Sequence, residues 1–220
     1  MKVLVIDTAL DACTAGVFED GVALAMRSET MARGHSERLA GFVRDAVAEV
    51  SGGFDALDRI GVTVGPGSFT GLRVGLAFAQ GLGAALDRPV VGISTLAALA
   101  RSADDGRGAT AAVIDARRGQ VYVQTFLDGQ PASDAQAMEL EAAVSALIEP
   151  GSARRLTGSG AVLIDPAVTD ALTSPTPQAL ALLTAAFEPS EHPPRPLYLR
   201  APDATPPTRL PGQARTPAIG

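Results

Sequence analysis

Two aspartates close apolar runs in the same way. Val5-Ile6-Asp7 and Val113-Ile114-Asp115 each end a stretch that reads as a strand buried on both faces. Each is followed, at the same spacing, by an Asp-Gly turn: Asp20-Gly21 after Val17-Phe18-Glu19, and Asp128-Gly129 after Thr125-Phe126-Leu127. This is the mark of a duplicated strand-turn-strand unit. Two such halves facing each other would form a cleft with Asp7 and Asp115 beside it. A carboxylate in that position can hold a metal–nucleotide complex or activate a hydroxyl. The plainer role is to satisfy loop N–H groups at a strand end. The plainer role is favoured here. Asp7 precedes Thr8-Ala9 and Asp115 precedes Ala116-Arg117, so neither has the small residues that let a backbone approach phosphate.

The most specific stretch is Gly65-Pro66-Gly67-Ser68-Phe69-Thr70-Gly71-Leu72-Arg73-Val74-Gly75. A Gly-rich turn that opens a helix can cradle phosphate with free N–H groups and the helix dipole. However, Leu72-Arg73 stand where a Walker A motif needs Lys-Ser/Thr, and Ser68 is not the middle residue of Gly-x-Ser-x-Gly. Gly71, Gly75 and Ala79 instead form a smooth stripe on one helix face. Glycine in a helix interior costs about 1 kcal/mol relative to alanine. Close packing or an interface is therefore the better explanation.

Other reactive side chains are few. The single cysteine, Cys13, excludes an internal disulfide and reads as a buried residue on the second strand. The two histidines, His35 and His192, are far apart in sequence. The net charge of −6 disfavours independent tight binding of nucleic acid, and the local basic clusters are Arg117-Arg118 and Arg154-Arg155. The N-terminal apolar run is too short for a signal peptide. The apolar stretch 74–100 is broken by Asp87-Arg88-Pro89, so no membrane span is expected and the cytoplasm is the expected compartment.

The elements that must position these residues can be read from periodicity. Strands are expected at 2–7, 14–18, 22–27, 60–64, 89–93, 110–115, 120–127 and, interrupted by Gly158 and Gly160, 156–164. Leu39, Phe42, Val43, Ala46, Val47 and Val50 repeat with helical period, and Ser51-Gly52-Gly53 ends that helix. Further helices are expected at about 69–86, from a Ser94-Thr95 cap to Ala100, at 138–148 and at 177–187. Asp104-Asp105-Gly106 reads as the junction between a first lobe, 1–104, and a second, 105–200. Prolines crowd the chain after Phe187, and 201–220 is expected to be a mobile tail.

Several motifs resemble one family. Ile6-Asp7-Thr8, His35-Ser36-Glu37, the 65–73 run, Ser94-Thr95-Leu96, Ile114-Asp115-Ala116-Arg117 with Val121-Tyr122, and Tyr198-Leu199-Arg200 look like the TsaB (YeaZ) family, paralogues of the TsaD/M22 glycoprotease-like proteins. The resemblance runs to about Arg200. It implies an α/β, duplicated actin/Hsp70/sugar-kinase-like (ASKHA, RNase H-like) fold. It also implies a role in making N6-threonylcarbamoyladenosine (t6A) at position 37 of tRNA.

In that family the protein is not the catalyst and not a genuine protease. It pairs with a TsaD-like catalytic paralogue, joined by a TsaE-like ATPase, and meets tRNA, ATP and Mg²⁺ only within the complex. Alone it forms a homodimer. The catalytic paralogue holds metal through a helical His-x-x-x-His pair. Here Leu39 stands four residues after His35, so that pair is missing, and no catalytic or metal-binding residue is expected. An expected partner interface then joins the two helices after His35 and Ser68: His35, Leu39, Phe42, Val43, Val47, Gly71, Val74, Gly75 and Phe78. The turn Gly65, Pro66, Gly67, Ser68, Phe69, Thr70, Gly71 and Arg73 carries family identity, and Asp7, Thr8 and Asp115 mark a vestigial cleft. The competing function is an autonomous ASKHA-type ATPase or phosphotransferase.

Overall fold

In a computed structural model, residues 1–31, 34–103, 107–148 and 154–200 are described. The first lobe begins with β1 (Lys2–Asp7), β2 (Ala12–Glu19) and β3 (Val22–Thr30), an antiparallel meander. Helix α1 (His35–Ala48) leads through a short 3-10 turn to β4 (Arg59–Gly65), then α2 (Phe69–Leu86), β5 (Val90–Ser94) and α3 (Thr95–Ala103). The sheet order is β3-β2-β1-β4-β5, with β4 parallel to β1 and to β5. That is the order of an RNase H-like half.

Burial on both faces explains the unbroken apolar run of β1. Leu4 and Ile6 join Leu39, Val43 and Val47 of α1 and Leu76 and Ala79 of α2 in one core cluster. Val3 and Val5 face the other way, with Phe18, Val91 and Ile93. α2 is long and apolar enough to cross a bilayer by length and composition, at a mean hydropathy of 1.2. It packs along β4 and buries Gly71, Leu72, Gly75, Leu76, Ala79 and Gly83, so we read it as a core helix.

The second lobe repeats the plan with β6 (Ala109–Arg117), β7 (Gln120–Leu127), β8 (Gln130–Pro131), β9 (Gln136–Glu139), α4 (Leu140–Leu147), β10 (Arg155–Thr157) and α5 (Ala161–Ile164). β7 is antiparallel to β6 and pairs with both β8 and β9; β10 is parallel to β6. β6 repeats the alternation of β1: Ala111 and Val113 face α4, and Ala112 and Ile114 face α3. The Asp-Gly turns match in backbone as well. Asp20 and Gly21 sit at φ 49° and 81°, Asp128 and Gly129 at 49° and 75°, the two left-handed residues of a tight hairpin.

The duplication is incomplete. The second sheet also has five strands, but β8 and β9 both pair with β7, and among the described residues no strand lies beyond β10 as β5 lies beyond β4. The last helix, α6 (Pro177–Ala186), returns to the first sheet, where Leu180 and Ala181 join the Val3/Val5/Phe18 cluster. Arg59 of β4 donates to the carbonyls of Ala185 and Phe187 at its C-terminus. The segment after α6 stays there: Gly92 N donates to His192 O, and Leu197 N to Val64 O. Helix α6 and the segment after it thus pack on the first sheet, and α3 contributes to the cores of both halves.

Two local expectations are corrected. Residues 136–139 are strand, so the helix expected from 138 begins at Leu140. The strand expected at 156–164 stops at Thr157, because Gly158 turns at φ 99° against the Val113 backbone and 161–164 is helical. The junction 104–106 and the tail 201–220 lie outside the described residues.

Candidate functional site

A cavity of about 390 Å³ opens where the two halves meet. Ala9, Leu10 and Asp11 line it from the first lobe with Gly67 and Ser68 of the motif turn. Ile114, Asp115, Ala116, Arg117, Tyr122 and Ser159 line it from the second. The duplicated aspartates make the same local bond: Asp7 Oδ1 accepts from Ala9 N at 3.0 Å, and Asp115 Oδ1 from Arg117 N at 2.8 Å.

Their surroundings then diverge. Asp7 is 3% exposed and also accepts from Thr63 Oγ1 at 2.8 Å. Burial pushes its carboxyl above the usual carboxylate range, against the Ala9 and Thr63 bonds and the nearby His35, which favour the ionised form. Thr8 is fully buried, and its Oγ1 donates to Gly71 O at 2.8 Å. Asp7 and Thr8 thus do not line the cleft; they hold the β1–β2 turn in place. Asp115 does line it, ion-paired with Arg117 at 3.2 Å, while its N–H donates to Ser159 Oγ at 3.1 Å.

The Asp7 environment sets a pH dependence. A carboxyl with a raised folded pKa favours the fold when protonated. Its contribution is therefore full below the unfolded value of 3.8 and is lost as pH rises through the folded value. Asp7→Asn removes this term while keeping an acceptor for Ala9 and Thr63. Thermal melts should show the variant gaining on the wild type as pH rises from about 4 to 7. A gap that stays constant with pH would contradict the assignment.

The Gly-rich turn wraps the same β1–β2 turn. Ser68 N donates to Ala9 O at 2.7 Å, and Ser68 Oγ caps α2 by accepting from Gly71 N at 3.2 Å. A Cβ at Gly67 would stand 2.2 Å from Ala9 O, and one at Gly71 2.0 Å from Thr8 O. The turn is occupied by its own chain. Gly65, at φ 109°, starts it with Pro66, and Phe69, Thr70 and Arg73 face outward. At Gly75 a Cβ would meet Thr8 Oγ1 at 2.4 Å.

This changes the expected partner face. His35, Leu39, Val43, Val47, Gly71 and Gly75 are buried within the chain, and His35, Gly71 and Val74 line an opening of about 360 Å³ between the two helices. Phe42, Val74 and Phe78 are only partly buried against the same core. The helices also carry two glycines, Gly41 and Gly81, where an added Cβ meets nothing within 4 Å. Cys13 is buried on β2 as expected, and burial, with Asp7 and Glu29 nearby, pushes its thiol up to about 11. That is the wrong direction for a nucleophile. Among the described residues, no cluster of three or more His, Cys, Asp or Glu side chains is placed to hold a metal.

Sequence reasoning missed the cleft wall supplied by Ser159 and the contact of Arg200, whose Nη1 donates to Ala116 O at 3.0 Å. It also missed the cluster in which Tyr198 meets Phe69 and Arg73. The one sequence signal for that cluster is the i, i+4 spacing of Phe69 and Arg73.

Comparison with known proteins agrees with this geometry. A family model described as "TsaD: tRNA N6-adenosine threonylcarbamoyltransferase" matches residues 27–186. An uncharacterized Mycobacterium tuberculosis protein is 38% identical over 213 residues, 93% of this chain and 94% of that one. The Escherichia coli tRNA threonylcarbamoyladenosine biosynthesis protein TsaB is 39% identical over 124 residues, 56% of this chain and 53% of its own length. The crystal structure of YeaZ from Pseudomonas aeruginosa matches with a TM-score of 0.74 at 30% identity, covering 90% of this chain and 99% of that one.

Proposed function

The chain belongs to the TsaB/YeaZ family, and on that basis we propose that it is a supporting, non-catalytic subunit in t6A biosynthesis, paired with a TsaD-like catalytic paralogue. The observation that carries the non-catalytic part is the fate of the cleft machinery. Asp7 is buried and bonded to Ala9 and Thr63, and the Gly-rich turn is packed on Thr8 and Ala9. A phosphate cradle needs a free carboxylate and free backbone N–H groups at those two places.

The partner face in this reading is the outer surface of α1 and α2. Phe42, Val74 and Phe78 offer apolar area. Gly41 and Gly81 let a partner helix approach closely, a need the chain's own packing does not create. The same face joins two copies of the chain when the paralogue is absent. A TsaE-like ATPase and tRNA enter through the assembled complex.

Affinity purification of the tagged chain from its own cells, with mass spectrometry of the copurifying proteins, tests the proposal. Recovery of a larger paralogue bearing a helical His-x-x-x-His pair is expected. Recovery of the chain alone, with ATP turnover intact, would overturn it in favour of an autonomous ATPase or phosphotransferase.

A further inference from the structure

An aromatic cluster stands exposed just past the turn that lines the cleft, where Phe69 follows Ser68. Phe69 opens α2 and is 50% exposed; Tyr198 is 47% exposed. Their ring centroids lie 5.7 Å apart with planes tilted by 35°. The Arg73 guanidinium sits 3.7 Å from the Phe69 ring centre, and its Nε donates to the Tyr198 hydroxyl at 3.3 Å. The chain has only seven Phe, two Tyr and no Trp, so leaving two rings half in water beside each other asks for a reason.

The cluster is held between the halves. Leu197 bonds to Val64 O of β4, and Arg200 bonds to Ala116 O of β6, which fixes Tyr198 between them. Ser68, next to Phe69, lines the same cavity as Arg117. Arg117 and Arg118 form the tip of the β6–β7 hairpin, both exposed and both in left-handed backbone at φ 63° and 57°. The carboxylates on this wall are Asp11 and Asp115, and Asp115 offsets part of the Arg117 charge. The cluster and the hairpin tip together carry Arg73, Arg117 and Arg118 in a chain of net charge −6.

Planar rings with a stacked guanidinium, tied through Ser68 and Arg200 to the strand end and cavity wall that carry Arg117, suit one class of ligand: an unpaired nucleotide with its phosphates. Resting on the reading above, we propose that Phe69, Tyr198 and Arg73 form a stacking platform for an unpaired base of the RNA substrate, and that Arg117 and Arg118 meet its backbone. The chain then touches the RNA itself as well as supporting the partner.

The test uses the full chain, alone and with whatever partner copurifies, and two labelled probes. One is an anticodon stem–loop RNA with adenosine immediately 3′ of the anticodon; the other is the same sequence annealed to its complement. Anisotropy titrations at low salt should show the stem–loop bound more tightly than the duplex. Phe69→Ala and Tyr198→Ala should each weaken stem–loop binding about tenfold, and Phe69→Trp should restore it. Arg117→Ala and Arg118→Ala should each lower the salt slope by about one. Ultraviolet crosslinking should map the loop to the peptide containing Phe69 or Tyr198.

The proposal is overturned if the wild type binds neither probe in either form, if the duplex binds as well as the stem–loop, or if Phe69→Ala binds like wild type. It is also overturned if Phe69→Trp fails to rescue, or if Phe69→Ala loses the paralogue while RNA affinity is unchanged. That last outcome would make the cluster a protein contact. Copurification read on the same Phe69→Ala sample separates the two claims. A paralogue retained with RNA affinity unchanged sinks the platform alone, whereas a wild type that recovers no paralogue sinks the supporting-subunit reading.

Discussion

Gly71→Ala is expected to lower the thermal midpoint by roughly 6–12 °C, about 3 kcal/mol at 2–4 °C per kcal/mol for a chain of this size. The added Cβ falls 2.0 Å from Thr8 O, and that oxygen belongs to backbone that cannot swing aside. Thr8 is itself fixed, because its hydroxyl donates to Gly71 O. Alanine's better helix propensity returns at most about 1 kcal/mol, so the clash wins. The carbonyl cannot retreat without moving Asp7 and Ala9, which sit on either side of Thr8 and bond to each other and to Ser68 and Thr63. Thermal melts of the purified variant check this. A midpoint within about 2 °C of wild type would mean that the Gly-rich turn has room to spare, and phosphate binding there would have to be reconsidered.

The second large effect separates two glycines on one helix. Gly81→Leu should leave the fold intact, since a Cβ there meets nothing within 4 Å, and the change removes a helix glycine worth about 1 kcal/mol. It should nonetheless abolish recovery of the paralogue, because a leucine on a close-approach face holds the partner helix away. Gly75→Leu should do the opposite and unfold the chain, because its Cβ would reach 2.4 Å from Thr8 Oγ1 in the buried layer. Size-exclusion and melting of each variant, then copurification, give the readout. Gly81→Leu that still recovers the paralogue at the wild-type level would move the interface off this face.

Much of this was legible in the chain because it depends on local rules. The paired Val-Ile-Asp runs and Asp-Gly turns announced the duplication, since strand periodicity and left-handed turn residues are set within a few positions. The same holds for α1, for the Ser94 cap, and for the preference for close packing or an interface over phosphate at Gly71. What stayed hidden depends on distant chain. Helical spacing showed that Leu39, Val43 and Val47 share an apolar face, yet it could not say that β1, β2 and β4 of the same chain cover it. Nothing local marks α6 as returning to the first sheet, because an apolar helix reads alike over either lobe. Asp7 and Asp115 look equivalent in sequence. Only the fold seals Asp7 beneath Thr63 and leaves Asp115 on the cleft wall. The Phe69–Tyr198 pair brings together residues far apart in the chain, and no pattern predicts such a meeting.

A supporting, non-catalytic role is tested most sharply by the t6A content of tRNA, measured by mass spectrometry of nucleosides, in cells depleted of this chain and complemented with variants. Depletion is expected to remove most t6A; wild type and Asp115→Ala should restore it, and Gly81→Leu should not. Undiminished t6A after depletion would contradict the role in the pathway. Loss of t6A with Asp115→Ala in a folded, partner-bound chain would contradict the claim that the cleft does no chemistry.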